Sequence, residues 1–368
     1  MNDNPQQHWE HYCTGELSAL RPLLQRHGYS LSEEQPHLKG ERFLQQAVTT
    51  KSGKKLILYG NLADGSRVVI KATRERAGIA ELVHERSCRK LLESIDFAAD
   101  IFHTPREIAW IEEDGFVISI QEYIDQPLPF IERPLQEQFM YALAAFKAQE
   151  GAHATTFKHR RLIRTAYELR GARQYERNAA DFLRHVRELA TDDLALHELL
   201  ARTNAILSAE TVRIEQYCGF LTHTDFVPHN IRIDADGTMY LLDHSSLAFG
   251  NKYEGWARFL NFMTLYNPPL AQALTAYVRD NRSEEESQAL WLMRLYRLSE
   301  IIFYYVKASR GSTGDLEKLN RARIGFWSTV LTCVLLRQDV PHNVITEYQT
   351  LRDSLRSPEE KERQKGLH

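Results

Sequence analysis

The sequence predicts an α+β protein in which strands and helices are segregated along the chain. Three observations carry that expectation. Between residues 41 and 71, apolar and β-branched residues alternate around turn signals. From about residue 135 the apolar period becomes helical. Within the helical part, residues 221–250 break into short apolar runs and turns. The 368 residues are 43% hydrophobic and 26% charged, as expected of a globular chain long enough for two ordinary domains. A net charge of −3 argues against wholesale electrostatic binding of nucleic acid, and no nucleic-acid partner is expected. Cys13, Cys88, Cys218 and Cys333 lie far apart, so neither a zinc ribbon nor a disulfide framework is readable and reduced thiols are expected. The polar N-terminus lacks an apolar signal core and no run approaches the length of a membrane span. A cytoplasmic protein is therefore expected.

Residues 1–35 form a helical extension. Leu17, Leu20, Leu23 and Leu24 share one face, and Gly28 is a stop signal. Residues 36–124 open with three antiparallel strands, at 43–49, 55–60 and 68–71, with turns at 50–54 and at Asp64 and Gly65. Ser52 and Gly53 are small enough to let backbone N–H groups approach an anion, although an ordinary hairpin end reads the same way. Ser52, Gly53, Lys54 and Lys55 do not make a Walker A loop, because the upstream glycine and the following Ser/Thr are missing. Lys71 ends an apolar strand, where its ammonium needs an anionic partner or a route to solvent. The helix over 78–92 offers Glu81 and Glu85, so a Lys71–Glu85 pair is one reading of this fragment and a lysine snorkelling to solvent the more ordinary one. A strand over 116–124 runs into Pro127 and Pro129, marking a crossover at 125–130 beside the backbone of Glu122 to Ile124.

Residues 131–355 read as helical around the 221–250 stretch. Seven Lys/Arg residues at 158, 160, 161, 164, 170, 173 and 177 make either a solvated face or an anion-binding surface. Ser283 and Glu286 form a capping box ahead of a helix at 290–306, and another apolar helix covers 324–336. Trp291, Tyr296, Phe303 and Trp327 are expected in the core. The charged tail 356–368 is expected to fray.

The 221–250 stretch carries the chemistry. His223, Asp225 and Asn230 precede a hairpin made of 231–233 and 239–242, turned at Asp236 and Gly237 and ending in Asp243. Asp234 and Asp236 read as turn residues. Phosphoryl transfer needs such a set: one carboxylate to orient and deprotonate a hydroxyl, and an amide oxygen with a second carboxylate to hold magnesium on nucleotide phosphates. A metallohydrolase is the alternative, since His223, Asp225, His229, Asp243 and His244 are all ligand types. It lacks a His-x-His or Glu-x-x-His pair and leaves Lys71 unexplained.

His223-x-Asp225-x-x-x-x-Asn230, with Asp243 eighteen residues after Asp225, resembles the catalytic loop and metal aspartate of the aminoglycoside phosphotransferase and choline kinase-like family. With Lys71, Glu85 and the 122–124 segment in order, the resemblance covers roughly residues 40 to 265. It implies a bilobal, protein kinase-like fold: a small antiparallel β-rich lobe at 36–124, a hinge at 125–130 and a helical lobe at 131–355. It also implies ATP or another NTP, Mg2+, and transfer of the γ-phosphate to a small-molecule hydroxyl. Asp225 resembles the catalytic base, Asn230 and Asp243 the magnesium ligands, Lys71 the phosphate-contacting lysine and Glu85 its partner. Ser52, Gly53, Glu122 and Ile124 fall at nucleotide-binding positions, and His223 is expected to pack the catalytic loop. Three places depart from the family pattern. Thr224 replaces a usual glycine, His244 a usual aromatic residue, and Trp256, Ala257, Arg258 and Phe259 stand where a segment beginning with an acid is common. A nucleotide-binding pseudokinase that serves as a partner-binding module is the other reading kept open.

Overall fold

The computed structural model describes residues 5–36, 55–96 and 103–364, without the side chains of 5–8 and 154–158. Helix α1 (Pro5–Arg26) is followed by Gly28, whose φ of 80° ends it in the left-handed region. Five strands follow: β1 (Tyr29–Leu31), β2 (Leu56–Leu62), β3 (Arg67–Thr73), β4 (Glu107–Glu113) and β5 (Phe116–Glu122). They form one antiparallel sheet in the order β1-β2-β3-β5-β4. Alternate residues Leu56, Leu58, Val68, Ile70 and Ala72 are buried on one face, against Leu20, Leu23 and Leu24 of α1. The strand expected at 43–49 and the loop with Ser52 and Gly53 lie outside the described residues. Strand β4 escapes the sequence reading, although Asp114 and Gly115, both at positive φ, form the turn that introduces β5.

Helix α2 (Arg76–Glu93) leaves the sheet and belongs to both halves of the molecule. Arg86 and Arg89 pair with Glu107 on β4, while Cys88 and Leu91 join the apolar core of the helical part. Tyr167 fixes the helix further by donating its hydroxyl to the carbonyl of Cys88 at 2.7 Å.

The helical lobe opens with α3 (Leu135–Lys158), α4 (Arg160–Ile163), α5 (Ala172–Leu189), α6 (Leu194–Ala209) and α7 (Thr211–Gln216). Four short strands then build two ribbons: β6 (Phe220–His223) pairs with β9 (Leu247–Gly250), and β7 (Ile231–Ile233) with β8 (Met239–Leu241). The β7–β8 turn forms where Gly237 adopts a φ of 81° and Asp234 Oδ1 accepts the N–H groups of Asp236 and Thr238. Helices α8 (Glu254–Tyr266), α9 (Pro268–Asn281), α10 (Glu284–Gly311), α11 (Gly314–Leu335), α12 (His342–Ser354) and α13 (Pro358–Arg363) complete the chain. The result is a bilobal α+β fold, with the antiparallel sheet in one lobe and mainly helices in the other.

Toward the C-terminus the structure also departs from expectation. The tail beyond Arg356 does not fray through Arg363: Ser357 Oγ caps α13, Glu359 and Glu360 occupy its first turn, and Arg356 and Gln364 are buried. The helix expected at 324–336 begins ten residues earlier, at Gly314, because its first turns bury Leu319 and Asn320. The expected capping box is present, with Ser283 and Glu286 exchanging side-chain-to-backbone bonds.

Candidate active site

Lys71 lies in the middle of the sheet, across from Ile57 on β2 and Ser119 on β5. Its ammonium pairs with Glu85 on α2, whose side chain is almost wholly buried. Burial raises the Glu85 carboxyl, but Lys71, helped by Lys55, more than reverses this and leaves it below its ordinary value. Asp243 opposes the shift, so the two acids are close enough to feel one another. A second pair, Lys55 with Glu81, joins the start of β2 to the same helix.

Asp225 and Asn230 come from the loop between β6 and β7. Asn230 donates from Nδ2 to both the carbonyl and Oδ2 of Asp225, at 2.9 and 3.2 Å. These bonds fix the loop and orient the amide oxygen away from Asp225. Beneath the loop, Phe226 packs with Phe146 and Phe259, and Trp256 stacks on Phe146 at 3.8 Å. Each such aromatic pair contributes about 0.5–1.5 kcal/mol beyond its area. This explains Trp256 at the third departure: it is part of the floor under Asp225.

Asp225 keeps 35% of its side-chain surface and meets Arg258 on α8 at 2.9 Å. Burial raises its carboxyl; Arg258 first, then His229, His223 and Arg297, outweigh that and hold it well below the usual carboxylate range. Arg258 was not singled out by the sequence. Thirty-three positions separate it from Asp225, and only the packing of α8 against β6 brings them together.

Asp243 has a left-handed backbone, φ 58°, which costs a non-glycine residue roughly 1–2 kcal/mol. Its carboxylate accepts hydroxyls from Ser245 at 2.5 Å and Ser246 at 2.7 Å. Burial raises this carboxyl too, while His223, both serines and Lys71 bring it below its ordinary value. His223 is buried and donates from Nε2 to the carbonyl of Leu242, tying the start of the Asp225 loop to the residue before Asp243.

Thr224 is not at positive φ, so no glycine is required there. Its N–H and its hydroxyl both donate to the carbonyl of Ser246, at 2.8 and 3.0 Å. His244 is buried against α2, with no hydrogen-bond partner for Nε2 among the described residues. Burial pushes its imidazole down to about 3, from an ordinary 6.5. The unfolded chain therefore takes up a proton near pH 6.5 that the folded chain refuses until about pH 3, and folding stability falls as pH drops through that window. Metal-free unfolding by urea should show wild type losing up to about 1.4 kcal/mol per pH unit more than His244→Phe between pH 6.5 and 4. Parallel slopes for the two proteins would refute this.

An acid does stand at the start of α8. Glu254 is fully buried and accepts from Arg170 at 2.9 Å, Arg297 at 3.4 Å and the Tyr175 hydroxyl at 2.7 Å. It stands two residues ahead of Trp256, with Gly255 between them. Next to it, Gly255 lies so close to β6 that a Cβ would sit 3.0 Å from the His223 carbonyl. Glu254→Ala removes the shared buried partner of Arg170, Arg297 and Tyr175, leaving the arginines only Glu168 and Glu300, and is expected to reduce unfolding free energy by about 1–3 kcal/mol. A loss under about 1 kcal/mol in urea titrations would show that the cluster is not structural. Arg170 is thus half-buried and paired inward, whereas Arg160, Arg161, Arg164, Arg173 and Arg177 of the basic stretch are exposed.

At the hinge, the N–H of Glu122 is taken by the carbonyl of Arg106 at 3.0 Å, so that group is not open to a base as expected. The Glu122 carbonyl and the Ile124 N–H are the remaining candidates. The following linker touches the catalytic ribbon, where Gln126 Oε1 accepts the N–H of Ile233.

The donor chemistry suits magnesium. No described residue donates to the Asn230 amide oxygen, and Asp243 adds a carboxylate, both hard oxygen donors. Among the described residues no three His, Cys, Asp or Glu side chains gather as a metal-ligand set, so phosphate oxygens and water would have to complete an octahedron. The hydrolase reading finds no ligand set in the same residues. No helix among them is long and apolar enough to cross a membrane.

No protein-family model and no curated protein matches this sequence. Solved structures do. A thermostable mutant of aminoglycoside phosphotransferase APH(4)-Ia in its apo form aligns over 83% of this chain and 97% of its own, with TM-score 0.57 and 15% identity. The GDP and kanamycin complex of APH(2")-IIia aligns over 78% and 92%, with TM-score 0.55 and 12% identity. Macrolide 2'-phosphotransferase type I aligns over 84% and 97%, with TM-score 0.52 and 15% identity. The chain has the kinase-like fold that these aminoglycoside and macrolide phosphotransferases share.

Proposed function

We propose that the chain is an ATP- or other NTP-dependent phosphotransferase that moves the γ-phosphate to a hydroxyl of a small molecule. The observation that carries this reading is the convergence of the Lys71–Glu85 pair and Asp243 from one side with the Asp225–Asn230 loop from the other. The fold neighbours support it: one is a ternary complex with ADP and hygromycin B, another a complex with GDP and kanamycin.

Asp225, held ionised, accepts the hydrogen of the acceptor hydroxyl and points that oxygen at the γ-phosphorus, taking the proton as the new O–P bond forms and the bond from the γ-phosphorus to the β-phosphate's bridging oxygen breaks, releasing the nucleoside diphosphate. Lys71, fixed by Glu85, meets the α- and β-phosphates with a single positive charge. The Glu122 carbonyl and Ile124 N–H hold the base, and Ser52 and Gly53 lie on the loop proposed to cover the phosphates. Asn230 and Asp243 would hold magnesium, which supplies charge neutralisation on the phosphates when bound.

Release of ADP from Mg·ATP across a library of hydroxyl compounds tests the reading. Acceptor-dependent turnover is the expected result. Tight nucleotide binding without turnover on any compound would favour the pseudokinase, and ATP-independent hydrolysis would overturn both.

A further inference from the structure

The antiparallel sheet has a second face. Residues of β2, β3 and β5 that alternate with the buried Leu56, Leu58, Val68, Ile70, Ile118 and Ile120 point to the side that carries Lys71. Ile57 and Ser119 share the row of Lys71, while Tyr59 and Gln121 flank Val69 one row further, about 7 Å along the strands. Beyond them Arg67 meets Tyr123, the residue between the Glu122 carbonyl and the Ile124 N–H. This face stays partly open. Ile57 is 38% exposed and Tyr59 and Val69 are half-buried, whereas their neighbours on the core face are closed off.

Tyr59 and Tyr123 meet edge to face with ring centroids 5.5 Å apart, and the Arg67 guanidinium sits 3.9 Å from the centre of the Tyr123 ring. The hinge tyrosine is therefore fixed on two sides. The other lobe contributes Arg232, the middle residue of β7. Its neighbour Ile233 is tied to the linker through Gln126, which sets β7 against the hinge, and its guanidinium lies near enough to both phenols to interact with them electrostatically. Nη1 donates to the carbonyls of His229 and Ile231, at 3.1 and 2.9 Å, so one end of the planar group is anchored to its own strand. Among the described residues no carboxylate pairs with it.

An apolar roof on the sheet and a flat cation below it suit a flat π-system. A guanidinium attracts an aromatic ring through its face as well as by dispersion, which an aliphatic side chain cannot do. Resting on the phosphotransfer reading, we infer that Arg232 binds the nucleobase: its guanidinium stacks on the ring of a purine nucleotide held under Ile57, Tyr59 and Val69, while the phosphates reach Lys71. Arg232 then acts on the base and not on the phosphates. A purine offers the wider face, so purine triphosphates are preferred to pyrimidine ones.

Calorimetric titration of the full chain with Mg·AMP-PNP, with its uridine analogue and with Mg·tripolyphosphate separates these contributions. Failure of wild type to bind Mg·AMP-PNP defeats the phosphotransfer reading and this inference with it. Binding that Arg232→Leu does not weaken defeats the inference alone. The expected result is a loss of roughly three- to thirtyfold in Mg·AMP-PNP affinity in Arg232→Leu, with tripolyphosphate affinity kept within about twofold. An equal loss for tripolyphosphate would make Arg232 a phosphate ligand and overturn the assignment. Arg232→Lys keeps the charge but loses the plane and should recover little of the affinity. Full recovery would replace the stack by a point charge, and the inference would fall.

Wild type should also bind Mg·AMP-PNP more tightly than the uridine analogue, and Arg232→Leu should narrow that ratio. A merely structural Arg232 would lower the urea midpoint and leave the ratio unchanged. Wild type with no preference for the purine overturns the inference even if the leucine variant does not fold.

Discussion

Replacing Asp225 by Asn should lower kcat by roughly 10²–10⁴-fold while leaving the Kd for Mg·nucleotide within about twofold of wild type. The amide has the size of the carboxylate but cannot take a proton, and it no longer offers Arg258 a charge at 2.9 Å. Nucleotide contacts are assigned to Lys71, Asn230, Asp243 and the hinge, so binding and chemistry separate. Single-turnover transfer and calorimetry on the same preparation check both halves. Near-wild-type turnover would remove Asp225 from the role of base, and a parallel loss of nucleotide affinity would show that the substitution disturbs Asn230 instead.

Asp243→Ala is expected to erase the part of nucleotide affinity that magnesium adds and to lower kcat by roughly 10²–10³-fold. Calorimetric titrations with and without magnesium should give distinct affinities for wild type and equal ones for the variant. Equal affinities in wild type would refute a metal-binding role. Because Asp243 holds a φ of 58°, alanine there also strains the backbone, whereas Asn tolerates that conformation better. Asp243→Asn therefore isolates the lost charge. If it matches the alanine variant in magnesium dependence and unfolds at a higher urea concentration, the two contributions are resolved.

Much of this arrangement is legible in the chain because its signals are local. Lys71 ends an apolar run, Glu85 faces it from the next helix, and Asp225, Asn230 and Asp243 fall around one short hairpin with its own turn residues. What remained unread depends on contacts between distant segments. Arg258 reaches Asp225, and Arg294 reaches Asn261, only because α8 lies between the catalytic strands and α10. A helical period says that Arg258 has a face, not which acid that face meets. Glu254 was passed over because the family-like segment was sought at Trp256, and an acid at a helix start reads first as a dipole complement. Its burial with Arg170 and Tyr175 is decided by α5, some eighty residues upstream. The loss of the Glu122 N–H to Arg106 follows from β4, whose strand was not recognised beside its hairpin turn.

Helix α2 is held on one side by Glu107 and Lys71 of the sheet, and on the other by Tyr167 and the apolar core around Cys88 and Leu91. Mechanically it is a strut shared by two bodies. Rotation of one lobe against the other must either carry this strut along or break its pairs. The entropy of setting Glu85 against Lys71 is lost once, when the chain folds, and not again at each turnover.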